Sequence, residues 1–313
     1  MSQARSLSIV VPVYNEAENI QPMYEEIRVT CQALARDWEL LFVDDGSADR
    51  TAALVRELAR RDPHVRLVRL KRNYGQTAAM AAGFDLCRGA IVVSLDGDLQ
   101  NDPADIPRLL AGLDEGYDVV CGWRRRRQDP FWSRRLPSRI ANWLVERLTD
   151  VHVHDLGCSL KAYRASVIKD VALYGQLHRF IPVMSWLQGA RVGEVEVNHR
   201  PRRFGRSKYG LRRAWRVLLD MITVKMLTAF ASRPVAWFAL LSLPSFVCAL
   251  IAAATMASSA DRHPHTSLVI SSVALLFSMV GTHLLAIGVL SELFVGTAHR
   301  RPRDRHVHIE GSP

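Results

Sequence analysis

The sequence predicts an α/β fold, a doubly wound and mostly parallel sheet, with a two-helix transmembrane hairpin towards its C-terminal end. Three observations carry this. Short apolar segments alternate with longer helical patterns through residues 7–122, the order that builds a parallel sheet through crossover helices. Each acid-rich motif falls directly after an apolar segment, at the carboxyl ends of strands where such sheets bind ligands. Further on, residues 234–260 carry no charge, and residues 266–291 have His283 as their sole ionisable side chain. Each run exceeds the roughly 20 apolar residues that span a bilayer and the ~8–20 residues usual for a globular helix.

In chain order, residues 7–16 read as a buried strand closing on Pro12, Tyr14 and Glu16, with a helix over 17–34. A second strand at 40–43 runs into the acidic turn Asp-Asp-Gly-Ser-Ala-Asp-Arg-Thr at 44–51, and a helix follows over 49–60. The third strand, 65–70, leads through Lys-Arg-Asn-Tyr-Gly-Gln at 71–76 to a helix of small residues over 77–87. A fourth strand at 90–93 precedes Ser-Leu-Asp-Gly-Asp-Leu-Gln-Asn-Asp-Pro at 94–103, and a fifth is expected at 117–122.

The fourth of these motifs is the most informative. Asp96 and Asp98 stand one residue apart on a turn after an apolar strand, where they can hold Mg2+ or Mn2+ on oxygen ligands, with Gln100 as a third donor and positions left for a diphosphate. Alone, the same residues would suit ordinary turn chemistry. An EF-hand is excluded: counting from Asp96, the sixth position is Asn101 where glycine is needed, and the twelfth is Pro107 where a bidentate glutamate is needed. The adjacent Asp44 and Asp45 repel unless a ligand or donors satisfy them. Pro12 also suits a strand end, and Asp49 a helix cap.

Six motifs in order give these residues a family likeness: Val-Pro-Val-Tyr-Asn-Glu (11–16), Val-Asp-Asp-Gly-Ser-x-Asp-x-Thr (43–51), Arg-Asn-Tyr-Gly-Gln (72–76), Asp-Gly-Asp-Leu-Gln (96–100), Asp-x-Gly-Cys-x-Leu-Lys-Ala-Tyr-Arg (155–164) and Arg-x-Phe-Gly-x-Ser-Lys-Tyr (202–209). Over roughly residues 5–232 the chain resembles the family-2 inverting glycosyltransferases that load a sugar onto a polyprenyl phosphate. The formamidoarabinose branch is the nearest in pattern, through Arg-Asn-Tyr-Gly-Gln, Gly-Cys-x-Leu and His178-x-Phe180-Ile181-Pro182.

The resemblance implies a GT-A domain over 1–209; apolar spacing, hydropathy and charge add an amphipathic juxtamembrane helix over 210–232, the two spans over 233–298 and a basic tail over 299–313. It implies a nucleotide-sugar donor held by Pro12, Tyr14, Glu16, Val43, Asp44, Asp45, Asn73, Gly75, Asp96, Gly97, Arg202 and Lys208. Arg124, Arg134 and Ser138 would hold the acceptor phosphate, and Asp98, Arg124 and Arg134 form the implied catalytic set. Ser207 belongs with Arg202 and Lys208 in that pattern. Neighbouring arginines at 124–127 and 202–203 leave the acting residue open by a position or more. No Ser-His-Asp arrangement or other general base is visible, and a phosphate acceptor, largely ionised at neutral pH, needs none.

Charge placement bears on class and location. The net charge of +10 would suit a nucleic-acid binder. The basic clusters, however, flank apolar residues at helical spacing: Ile140, Trp143, Leu144 and Leu148, then Leu211, Trp215, Leu218, Leu219, Ile222 and Met226. That describes helices on anionic lipid, or core-facing helices with a basic outer side, rather than a groove reader, so no nucleic-acid partner is expected.

Arg233 precedes the first span and an Arg-rich stretch at 299–305 follows the second, so the positive-inside rule sets both ends in the cytoplasm. With no signal peptide before the first strand, the catalytic domain is expected on the cytoplasmic face of the inner membrane. Cys31, Cys87, Cys121, Cys158 and Cys248 form neither a zinc pattern nor a disulfide framework. A processive polysaccharide synthase or a non-catalytic membrane-bound polyanion binder are the alternatives. Sugar, nucleotide, chain length of the lipid and oligomeric state, a homo-oligomer included, stay open.

Overall fold

The computed structural model describes residues 6–34, 36–125, 153–171, 173, 175, 177–201, 234–259 and 264–298. The chain divides into two units, Met1–Met221 with Arg305–Pro313, and Ile222–Asp304. The amphipathic helices expected at 140–148 and 210–232, and the tail at 299–313, lie outside the described residues.

In the first unit, Leu7–Val13 (β1) forms the middle of the sheet because both its faces are apolar: Leu7, Ile9, Val10, Val11 and Val13 are all buried. Burying such a side chain is worth roughly 1.5–3 kcal/mol. Trp38–Asp44 (β2) and Ile91–Ser94 (β4) lie parallel on either side of it, and Val65–Arg69 (β3) lies outside β2. Pro12 is tolerated inside this central strand because the ladder to β4 has already ended at the Val10–Ser94 pair. The helices Ala17–Ala33 (α1), Thr51–Arg61 (α2), Gln76–Leu86 (α3) and Ile106–Asp114 (α4) cover the sheet. Their buried residues recur every three or four positions, as in Ile20, Met23, Ile27 and Cys31 of α1.

Beyond β4 the sheet departs from a simple parallel run. Val119–Trp123 (β5) does not pair with β4. Lys161–Arg164 (β6) inserts between them, antiparallel to both, and Val192–Glu196 (β7) closes the edge parallel to β5. The order is β3-β2-β1-β4-β6-β5-β7, so the expected mostly parallel sheet is present with one reversed strand. Two short helices, Ala165–Ile168 (α5) and Ile181–Leu187 (α6), follow β6, with the 3-10 turn Leu177–Phe180 before α6.

The second unit holds Pro234–Ser259 (α7) and Pro264–Ala298 (α8). Among the described residues these two helices are long and apolar enough to cross a membrane, and only 6% and 11% of their most apolar stretches are buried. Leu240, Leu250, Leu275, Leu290 and Phe294 all face outward, which suits a hydrocarbon surrounding rather than a core. The helices meet through small residues: a Cβ on Gly288 would stand 2.8 Å from Phe238 Cβ, and one on Gly281 would stand 2.9 Å from the Phe246 ring. Glu292 accepts a hydrogen bond from Val235 N at 3.1 Å, supplying an acceptor to the unsatisfied first turn of α7.

Candidate active site

The acidic turn after β4 crosses the tip of β1. A Cβ on Gly97 would sit 2.8 Å from Val13 Cγ1 and 3.3 Å from Pro12 O, so glycine is what lets Asp96 and Asp98 lie beside the strand end that carries Tyr14 and Glu16. Leu99 is buried yet has a φ of 61°, a conformation costing a side-chain-bearing residue about 1–3 kcal/mol. Its anchored side chain holds the turn in that shape. Asp98 Oδ1 accepts the Gln100 N–H at 3.2 Å, and Asp96 Oδ1 accepts from Gln76 Nε2, on the first turn of α3, at 2.6 Å.

Burial and the neighbouring Asp98 charge push the Asp96 carboxyl up to about 6, against the pull of Ser159, Arg124 and Lys161. A buried carboxylate raised by its neighbour's charge in this way is the setting a cation relieves. Among the described residues no group of three or more His, Cys, Asp or Glu could cage an ion. A divalent ion here would therefore complete its shell from a diphosphate and water, the ordinary arrangement for Mg2+ on a nucleotide, so the donor set fits. The Gln100 carboxamide nitrogen is turned towards Arg200 O at 3.5 Å.

The strand-end pocket is built mostly by internal donors. Asp45 accepts the N–H groups of Tyr74 and Gly75 at 2.7 and 2.8 Å. Burial, with the Asp44 charge beside it, still raises its carboxyl. Asp44 accepts from Ser47 N at 2.9 Å and pairs with Arg69 Nε at 3.2 Å. The donors that this adjacent pair calls for are thus in part the protein's own. Gly46 permits this, since a Cβ there would meet the Arg72 backbone at 2.5 Å.

Val43 is fully buried, so any ligand contact from that position comes from its backbone. Asn15, with a φ of 53°, donates its N–H to Ser47 Oγ and accepts the Ala48 N–H on Oδ1, both at 2.9 Å. Glu16 N donates to Thr51 Oγ1 at 2.9 Å, and Asp49 accepts from Thr51 N and Ala17 N, tying the starts of α1 and α2 together. Asn73 and Tyr74 are exposed.

Arg124 has a partner the sequence did not announce. Its Nε and NH2 donate to the two oxygens of buried Asp155 at 2.7 and 3.1 Å. Burial would lower its pKa, but the Asp155 charge keeps it raised. Two of its donor groups are thus committed inside the protein. Asp155 is itself held by Glu194 of β7, which accepts the N–H groups of His154 and Asp155 at 3.1 and 3.0 Å. Buried Lys161 donates to Leu156 O at 3.1 Å and to Cys158 O. Arg134, Ser138, Arg202, Ser207 and Lys208 lie outside the described residues.

Three further contacts went unforeseen: Gln76 on Asp96, Glu194 behind Asp155, and Arg200, which donates to Glu26 and pairs with Asp102, each at 2.7 Å. Gln76 belongs to a quoted motif at the end of a strand, and that membership is the signal that could have found it.

The mixed sheet is that of the GT-A glycosyltransferases, with paired carboxylates at the strand ends. The chain belongs to glycosyl transferase family 2, whose model matches residues 8–172. It is 40% identical over 309 residues to a dodecaprenyl-phosphate galacturonate synthase of Rhizobium johnstonii, covering 95% of this chain and 90% of the relative. It is 38% identical over 305 residues to an undecaprenyl-phosphate 4-deoxy-4-formamido-L-arabinose transferase of Pseudomonas aeruginosa, covering 96% and 87%. Among solved structures, the glucosyl-3-phosphoglycerate synthase of Mycobacterium tuberculosis in complex with Mn2+ and UDP-glucose aligns with a TM-score of 0.55 at 20% identity, covering 71% of this chain and 79% of that one. That last likeness speaks to the fold.

Proposed function

We propose that this glycosyltransferase moves a sugar from a nucleotide-sugar donor to a polyprenyl phosphate of the undecaprenyl class, with inversion at the anomeric carbon, for envelope glycan or lipid modification. One observation carries the reading: relatives named for this reaction match the chain across both its catalytic domain and its two apolar helices. The two apolar helices support the acceptor class, and the paired carboxylates support the donor class.

The chemistry assigned to each residue follows from charge. The leaving nucleoside diphosphate gains negative charge as the anomeric C–O bond breaks. Asp96 and Asp98, with Gln100, would hold Mg2+ or Mn2+, which neutralises that charge as a Lewis acid. Tyr14 and Glu16 border the pocket for the nucleoside, and Asp45 fixes the Tyr74–Gly75 backbone along its wall. The acceptor phosphate attacks through an oxygen already ionised, so Arg124, braced by Asp155, is assigned with Arg134 and Ser138 to position it, and Arg202 and Lys208 are assigned to the donor. Both chain ends are assigned to the cytoplasm, with the catalytic domain on that face.

The test is a donor screen. Purified full-length protein is given undecaprenyl phosphate and a panel of nucleotide sugars, and the products are read by mass spectrometry. One donor is expected to give a lipid carrying a single sugar, dependent on added Mg2+ or Mn2+. Polymer would favour the processive synthase, and no lipid product from any donor would remove the acceptor assignment.

A further inference from the structure

Two side chains without an assigned role bear on Asp96, one directly and one through the start of α3. Gln76 opens α3 and donates from Nε2 to Asp96 Oδ1 at 2.6 Å. The next residue, Thr77, shares a hydrogen bond of 2.7 Å between its Oγ1 and His178 Nδ1, and both side chains are buried. His178 comes from the 3-10 turn Leu177–Phe180, some hundred residues further along the chain. Asp45 fastens the same helix start from the strand side through Tyr74 N and Gly75 N.

The first turn of α3 is thus pinned on two sides of Gln76, and an amide at the end of a flexible side chain is aimed at one oxygen of a carboxylate. Such an amide, with the Ser159 hydroxyl that also bonds Asp96, restricts the rotation of the carboxylate. Partners of this kind behind a metal ligand typically change affinity by roughly 10–100-fold when removed.

We propose that Gln76 and His178 are positioning residues for the metal site: Gln76 orients Asp96, and His178, through Thr77, fixes the helix turn that presents Gln76. His178 reaches no metal donor itself and acts only through the helix. The proposal rests on the assignment of Asp96 and Asp98 to a divalent ion.

Mn2+ binding to the full-length protein is measured by electron paramagnetic resonance of the free ion, for wild type, Gln76→Ala, His178→Ala, His178→Asn, the double alanine variant and Asp98→Asn, with melting temperature read in parallel. Gln76→Ala is expected to weaken Mn2+ binding about tenfold. His178→Ala should weaken it in the same direction. His178→Asn, whose amide can replace the Nδ1 contact, should restore most of the loss, which also serves if the alanine variant fails to fold. Because both act on one carboxylate, the double variant should lose no more than Gln76→Ala alone.

Unchanged affinity in Gln76→Ala, additive losses, or a folded His178→Asn as weak as His178→Ala would overturn the proposal while wild type still binds and Asp98→Asn does not. A wild type that binds no Mn2+ would overturn the metal assignment and this proposal together.

Discussion

At the residue scale, the site depends on a few carboxylates whose surroundings differ. Asp98→Asn removes one negative ligand while keeping shape and the Gln100 N–H contact. Transfer should fall at least a hundredfold, because metal stabilisation of leaving-group charge is worth several kcal/mol. Turnover measured against metal concentration checks this, and full activity in the variant would end the metal role. Glu39 illustrates a carboxylate serving stability. Burial raises its pKa, but the Ser8 hydroxyl, the Arg88 N–H and the Arg66 guanidinium, each at 2.6 Å, outweigh that and hold it below the ordinary value.

A carboxyl lowered on folding contributes stability above its unfolded pKa and loses it as pH falls through the folded one. Glu39→Gln should therefore cost about 1–3 kcal/mol at pH 7. The gap to wild type in thermal melting should close as the pH drops below about 4. The sequence exposed the acids of the site because acids after apolar strands are conspicuous. It concealed their partners, since Asp155, Glu194 and Gln76 reach their contacts from segments distant in the chain.

At the scale of elements, the first four strands and their helices were legible within one to three residues, because each strand is an apolar run bounded by turn chemistry. The strands β6 and β7 were not. Lys161–Arg164 carries charged residues at both ends, and a lysine in a short segment suggests solvent, yet Lys161 is buried and satisfied by backbone carbonyls. Val192–Glu196 is a half-exposed edge with glycine and two glutamates. The hairpin helices were legible from hydropathy alone, whereas their packing depends on which glycines meet which aromatics. Gly288→Val would drive a methyl group into Phe238, and overpacking of this kind costs typically 1–3 kcal/mol. The variant should melt at lower temperature in detergent, with metal-dependent turnover per folded molecule retained. An unchanged melting temperature would contradict the close approach of α7 and α8.

At the scale of the whole molecule, the charge distribution predicts topology. A reporter fused after Pro313 should register as cytoplasmic and one inserted at Ser259 as external, since the arginines cluster outside the short connection between α7 and α8. A cytoplasmic signal from the Ser259 insertion would rule out the hairpin.

The reversed strand also sets an order of assembly during synthesis. Residues 7–94 contain β1 to β4 and can pair as they leave the ribosome. β5 is made next but has no neighbour to join until Lys161–Arg164 arrives to lie between it and β4. For some seventy residues of translation, the strand that leads into the acidic turn is an open edge, the kind of surface that invites pairing with another nascent chain. The sheet is complete only when β7 is finished at Glu196, and α7 begins at Pro234, so the sheet has the chance to form before the first long apolar helix is synthesised.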